Sequence, residues 1–274
     1  MTDAFIEQGY AIFKNILPVD MIERLRTASD KQFENYTDAQ RKASGGQGSI
    51  VNMPYIPTVF SELIAHTPAL DAMRSLGFER PRFWSGYLIA KEPHTSASYW
   101  HQDWPFWGDP VSADPIPHQL FLMYYLVDTS PQNGCLRVIP GSHRRRFPQH
   151  DLGGHDGSTR YEDPATSPAY ASTPDQADAS VKAGDLLVGD ARILHAPHGN
   201  QTDEGRTVIT MWFLPRYDEL PERMKAAYQR ALFTPIPDDL PDELKGRLSS
   251  LQLDYDGDCP PTEWDRIPGE HLQA

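Results

Sequence analysis

The sequence predicts a mainly β fold of jelly-roll type with flanking helices, and three observations carry that prediction. Between residues 81 and 214 short apolar runs recur, each closed by Gly, Pro or Asn. Helical patterning is confined to the two ends of the chain, and no internal repeat is present. Many short strands with frequent turn signals are the pattern of a β-sandwich or jelly roll, whereas alternating strands and helices would indicate a parallel sheet.

In chain order, residues 5–13 read as a short helix, a break at Gly9 and a strand. Asp20 then precedes Met21, Ile22, Leu25 and Ala28, a helical stripe with an acidic residue at its start. Residues 44–48 form a flexible loop, and 61–76 read as one helix. Seven strands follow at 83–91, 97–101, 119–128, 135–139, 185–189, 191–195 and 206–214, with a Gly-Asp turn at Gly189-Asp190 between the fifth and sixth. Two long interruptions, 105–118 and 144–182, leave these strands and read as lid loops, and within the second, 175–179 reads as solvated. Beyond residue 214 come two helical stretches, 220–233 and 240–251, and a tail through Cys259. This extension packs on the sheet, covers a pocket or forms a dimer contact, so monomer and homodimer both remain open.

A chain of 274 residues buries a full core as one domain. Its formal net charge of −13 disfavours nucleic acid and anionic membrane as partners. No apolar run is long enough to span a bilayer, and the N-terminus leads into an amphipathic segment in place of a signal peptide. Two cysteines, Cys135 and Cys259, do not make a disulfide framework, so a reducing cytoplasm is the simplest setting. A small-molecule enzyme fits these bounds.

The chemistry is concentrated in a few residues. Trp100-His101-Gln102-Asp103 lies in an extended run, where residues two apart share a face, so His101 and Asp103 aim at one point. A distal histidine, His195 or His198, would complete two imidazoles and one carboxylate, a facial set that leaves metal positions open. Arg206 heads an apolar strand, where burial requires an anion: a carboxylate of the protein or of a dicarboxylate ligand. Thr210, four residues on, shares its strand face and could add a hydroxyl donor. Trp100, Trp104, Phe106 and Trp107 cluster around the metal motif, where they fill the core or stack on a substrate. The run Arg144-Arg145-Arg146 reads as a solvated loop, with attraction of an anionic group such as a carboxylate or coenzyme A phosphate as the alternative.

These residues resemble the phytanoyl-CoA dioxygenase family of iron(II)- and 2-oxoglutarate-dependent oxygenases. The resemblance rests on Trp100-His101-Gln102-Asp103, on residues 133–143 (Asn-Gly-Cys-Leu-Arg-Val-Ile-Pro-Gly-Ser-His), on Gly184-Asp185, and on His195 with Arg206. It runs in order from about Phe5 to Leu214. It implies a double-stranded β-helix, cupin-like, over 81–214 behind a helical N-terminal buttress over 1–80, while the C-terminal helical extension over 215–274 carries no family motif. It favours His195 over His198 as the distal ligand, because Asn200 and Arg206 follow His195 at the family's spacing.

The same resemblance implies Fe(II) held by His101, Asp103 and His195, with 2-oxoglutarate and O2 as co-substrates and Arg206 and Thr210 on the distal carboxylate. It implies further co-substrate contacts from Tyr87 and Lys91, and it leaves Trp104, Trp107 and His198 as substrate contacts. Retention of Asp103 points to hydroxylation and away from halogenation, while desaturation, cyclisation and epimerisation begin from the same hydrogen abstraction. A cupin-like metal enzyme or binding protein that does not use 2-oxoglutarate is the rival class.

Overall fold

The computed structural model describes residues 3–45, 48–152, 157–232, 235–268 and 272. Its larger sheet is antiparallel with six strands in the order β1-β7-β4-β9-β3-β2, formed by β1 (Tyr10–Phe13), β2 (Ser49–Asn52), β3 (Arg82–Lys91), β4 (Leu120–Tyr125), β7 (Leu186–Asp190) and β9 (Arg206–Leu214). A smaller sheet has the order β6-β5-β8, from β5 (Leu136–Val138), β6 (Ala177–Ala179) and β8 (His195–Pro197). This is the jelly-roll arrangement expected from the sequence.

Period-two alternation sorts the side chains of the large sheet between two cores. Leu120, Leu122 and Tyr124 of β4 and Ile209, Met211 and Phe213 of β9 face the helices α2 (Val19–Phe33), α4 (Thr58–Ile64), α5 (Thr67–Ser75) and α7 (Asp242–Ser249). The intervening Phe121, Met123 and Tyr125 and Val208, Trp212 and Leu214 face the small sheet. Each large apolar side chain so buried contributes about 1.5–3 kcal/mol, which is why the register is fixed and the inner face stays constant along each strand. The stripe of Met21, Ile22, Leu25 and Ala28 is the buried face of α2, as its spacing predicts.

Several elements differ from the sequence reading. The expected helix over 61–76 is two, α4 and α5; Pro68 falls in the first turn of α5, where its missing N–H costs nothing but through which α4 could not continue. Residues 97–101 form no strand; the segment runs beside β8 with a single ladder bridge, His101 to His195. Gly189 and Asp190 are the end of β7 and not a turn, because the Phe121 ring occupies the space a side chain at Gly189 would need. The reversal comes at Ala191–Ile193, where the Asp190 carboxylate accepts from Arg192 N at 2.9 Å, Nε at 3.0 Å and Nη2 at 2.7 Å, folding the chain around a buried ion pair.

The segment 175–179, expected to be solvated, contains the edge strand β6, and β2 was not foreseen. The loop 44–48 lies partly outside the described residues, as do part of 144–182 and Phe233. The described C-terminal helices are α6 (Glu222–Leu232) and α7. Among the described residues no helix is long and apolar enough to cross a membrane.

Candidate active site

The two histidines predicted as ligands are bound to each other through their backbones. His101 N–H donates to His195 O at 3.1 Å and His195 N–H donates to His101 O at 3.0 Å. Their rings are 4.3 Å apart. Asp103, two residues on, is anchored by its N–H to Ala191 O at 2.8 Å, so the turn built on Asp190 and Arg192 also places the carboxylate. His101, Asp103 and His195 each direct one ligand atom into a group whose atoms lie within 4.8 Å of one another.

The orientation of all three is enforced. His101 Nδ1 bonds Tyr99 O at 2.9 Å and His195 Nδ1 bonds Ile193 O at 3.0 Å, which leaves both Nε2 atoms as acceptors facing the centre. Asp103 Oδ2 accepts from Trp212 Nε1 at 2.8 Å. Burial and the neighbouring His195 hold His101 well below the usual imidazole range, so it is neutral and ready to ligate.

Arg206 and Lys91 stand directly opposite each other across β9 and β3, each about 1% exposed. Two like charges at paired positions repel, and burial makes the repulsion worse. Lys91 is accordingly pushed down to about 7 by burial and then by Arg206 and Arg137. Arg206 donates from Nη2 to Gly134 O at 2.7 Å, but its Nε and Nη1 are buried with no partner among the described residues. Thr210 Oγ1 and Tyr125 Oη are likewise buried without one. Two basic side chains and several orphaned donors thus meet in one place, the partners that an anion would need.

Both sets line one cavity, bounded by His101, Asp103, His195, Lys91, Arg206 and Thr210, with Phe121, Met123 and Trp212 among its apolar walls. The candidate ligand group and the buried basic pair are therefore two parts of one chamber. A chelating dicarboxylate fits that division, with one end at the metal and the other on Arg206.

The sequence profile of the phytanoyl-CoA dioxygenase (PhyH) family matches residues 5–208. The chain belongs to that family. Among PhyH relatives, the mouse protein named phytanoyl-CoA dioxygenase domain-containing protein 1 is 30% identical over 155 residues, 54% of this chain and 50% of the relative. An ectoine dioxygenase of Nocardia farcinica is 24% identical over 234 residues, 76% of this chain and 75% of that one. The chain thus spans about half the length of several curated PhyH relatives it matches and three quarters of another. The solved structure of HygX from Streptomyces hygroscopicus with nickel and 2-oxoglutarate bound has a TM-score of 0.60 at 19% identity over 77% of this chain and 84% of that one. The epimerase SnoN in complex with Fe3+, alpha-ketoglutarate and nogalamycin RO has a TM-score of 0.59 at 17% identity over 99% and 95%. These likenesses establish the fold.

The remaining expected residues of this PhyH chain fall into two groups. Tyr87 sits opposite Thr210 on β3, with its ring 5.3 Å from that of Trp212 at the edge of the chamber. The three expected substrate contacts are not among the residues lining the chamber. His198 follows Pro197, which does line it, and alternation turns His198 to the opposite face, where Nε2 meets Asp178 Oδ1 at 2.7 Å. Trp104 follows Asp103 and is turned away for the same reason, donating from Nε1 to Ser112 Oγ at 2.7 Å. Trp107 is fully buried in the apolar core. Sequence reasoning missed Tyr125, whose ring lies 5.2 Å under the Arg206 guanidinium. An unbroken apolar strand around it offered no signal.

Proposed function

We propose that this chain is an Fe(II)- and 2-oxoglutarate-dependent dioxygenase that oxidises, by default hydroxylates, an unactivated C–H bond of a small molecule, releasing succinate and carbon dioxide. The observation that carries the reading is the shared chamber: the His101, Asp103, His195 group beside the buried Arg206–Lys91 pair, with two guanidinium nitrogens lacking partners among the described residues. A metal enzyme with no anionic co-substrate would have no use for two facing buried cations.

His101, Asp103 and His195 would hold the iron, their free Nε2 atoms and carboxylate giving the facial set that suits a redox-active ferrous centre. When bound, iron with 2-oxoglutarate and O2 supplies the oxidising power to remove hydrogen from carbon. Arg206 would grip the distal carboxylate of 2-oxoglutarate, Lys91 would neutralise it, and Thr210 and Tyr125 would donate hydroxyl hydrogen bonds. Tyr87 and Trp212 would wall the metal end, and Phe121 and Met123 would exclude water from it. Asp103 would supply a carboxylate ligand where halogenation would need room for halide, which supports oxygen transfer. The structural neighbours SnoK and SnoN carry the names carbocyclase and epimerase, so the final outcome depends on how substrate is held.

The test is anaerobic loading with Fe(II) and 2-oxoglutarate, then exposure to air with a panel of small metabolites while succinate is followed. Asp103→Ala is expected to abolish succinate release. Undiminished release from that variant would sink the assignment.

A further inference from the structure

The C-terminal segment does not trail from the fold; it is strapped across the loop that follows the metal motif. Asp265 forms a parallel bridge with Phe106, with Trp107 N–H donating to Asp265 O at 2.8 Å and Asp265 N–H donating to Pro105 O at 2.7 Å. Thr262 N–H donates to Arg223 O at 3.1 Å, and Pro268 O accepts from Arg146 Nη1 at 3.4 Å. The strap is thereby fixed on both sides of Arg266.

A ladder of aromatic rings joins this strap to the metal ligands. Trp264 packs on Trp84 at 6.2 Å, Trp84 on Trp212 at 6.4 Å, and Trp212 donates to Asp103. The Arg266 guanidinium lies over the Trp264 ring at 5.5 Å, a contact that orients the charge without neutralising it. Its positive charge is felt at Tyr87 of β3, at Tyr99 and His101 of the metal-motif segment and at Tyr228 of α6, three separate segments that meet beside the metal ligands' end of the fold. Arg266 therefore stands among them.

A second cation approaches from the other lid. Arg160, in the short 3-10 turn Ser158–Tyr161, is braced by its Nε to Gly157 O at 2.8 Å and hydrogen-bonds Tyr99. The Tyr99 ring lies 5.2 Å from that of His101. Arg160 and Arg266 thus flank one tyrosine that leans on a metal ligand.

Elsewhere in this acidic chain Arg24, Arg41, Arg74, Arg82, Arg216 and Arg223 each hold a carboxylate, while Arg26, Arg137 and Arg247 are held by backbone carbonyls. Among the described residues, no carboxylate lies within ion-pair distance of Arg160 or Arg266. With 38 acidic residues against 25 basic ones, two arginines from separate lid segments that reach the same tyrosine without an acidic partner mark a place for an external anion.

We propose that the substrate is a small organic anion bearing a carboxylate or a phosphate, and that Arg266 of the C-terminal strap and Arg160 of the facing turn grip that group at the mouth of the chamber. This deepens the oxygenase reading and rests on it. The clamp holds the anionic end above the metal ligands and leaves the apolar portion of substrate to descend toward Phe121 and Met123, where oxidation would occur. It is separate from the Arg206–Lys91 site, which takes the co-substrate.

The experiment uses protein loaded with Mn(II) and 2-oxoglutarate, which binds ligands without turnover, and four probes of one shape: benzoate, phenyl phosphate, benzyl alcohol and benzylamine. Binding is read by tryptophan fluorescence and by the shift in Tm. Wild type is expected to bind benzoate or phenyl phosphate at least about tenfold more tightly than the alcohol and amine, and the better of the two names the anionic group. Arg266→Gln and Arg160→Gln should each lose about tenfold of that preference, Arg266→Lys should keep part of it, and 2-oxoglutarate affinity should stay constant in all three. Equal binding of the alcohol and the anions, or an unchanged preference in Arg266→Gln, would overturn the proposal. Failure of 2-oxoglutarate to bind would overturn the oxygenase reading instead, and the anion preference would still be read on the metal-free protein.

Discussion

The indole of Trp212 donates a hydrogen bond of 2.8 Å to the carboxylate of Asp103, joining the last strand of the large sheet to the ligand motif 109 residues earlier. One carboxylate oxygen is thereby occupied and the ligand is fixed in rotation. Trp212→Phe keeps the ring packing against Trp84 and Tyr87 but removes the donor. Metal affinity, measured by Mn(II) titration, is expected to fall about 10–100-fold with little change in Tm. Unchanged affinity would mean the indole only packs.

Arg206 is expected to matter to the co-substrate far more than His198 does. Arg206→Ala should raise the 2-oxoglutarate concentration needed for half-maximal succinate release by about a hundredfold or more, equivalent to roughly 2.8 kcal/mol. His198→Ala should change it little, since that side chain is turned toward Asp178. Equal effects would mean that the arginine does not hold the co-substrate.

Lys91 predicts a pH dependence with a definite sign. Burial and Arg206 lower its folded value to about 7 from the ordinary 10.5. Between these values the unfolded chain binds the proton and the folded chain does not, so the stability lost to this residue is greatest below pH 7 and recovers as pH rises toward 10.5. A bound dicarboxylate favours the protonated form. 2-Oxoglutarate should therefore bind most tightly at and below about pH 7 and progressively more weakly above it. Dissociation constants measured from pH 6.5 to 9 on the Mn(II)-loaded protein check this, and Lys91→Met should flatten the profile.

Asp190 carries a structural prediction. Its side chain and that of Arg192 are 2% and 4% exposed, and together they form the turn that supplies Ala191 O to Asp103. Asp190→Ala leaves a buried arginine unpaired, which costs about 3–5 kcal/mol. Urea denaturation should show that loss. Replacing both partners should cost less than replacing Asp190 alone.

Much of the site was legible because its information is local. His101 and Asp103 are two residues apart in an extended segment, so their common direction follows from backbone geometry even though 97–101 is not a strand. Arg206 and Thr210 share a strand face for the same reason. Alternation carried one step further turns the neighbouring residues away: Trp104 and His198 follow chamber-facing positions and point to Ser112 and Asp178.

The sequence by itself determined the jelly-roll class, the convergence of His101, Asp103 and His195, the cation at the head of β9 and membership of the PhyH family, because each is written in short spacings and in strand periodicity. Only the tertiary structure decided that Lys91 faces Arg206, that Tyr125 lies under the Arg206 guanidinium, that Trp212 bonds Asp103, and that the C-terminal segment docks beside Phe106. Those relationships are set by sheet register and by docking of segments more than a hundred residues apart. Such contacts form where buried area and hydrogen bonds are best satisfied across the whole fold, and no local pattern encodes them.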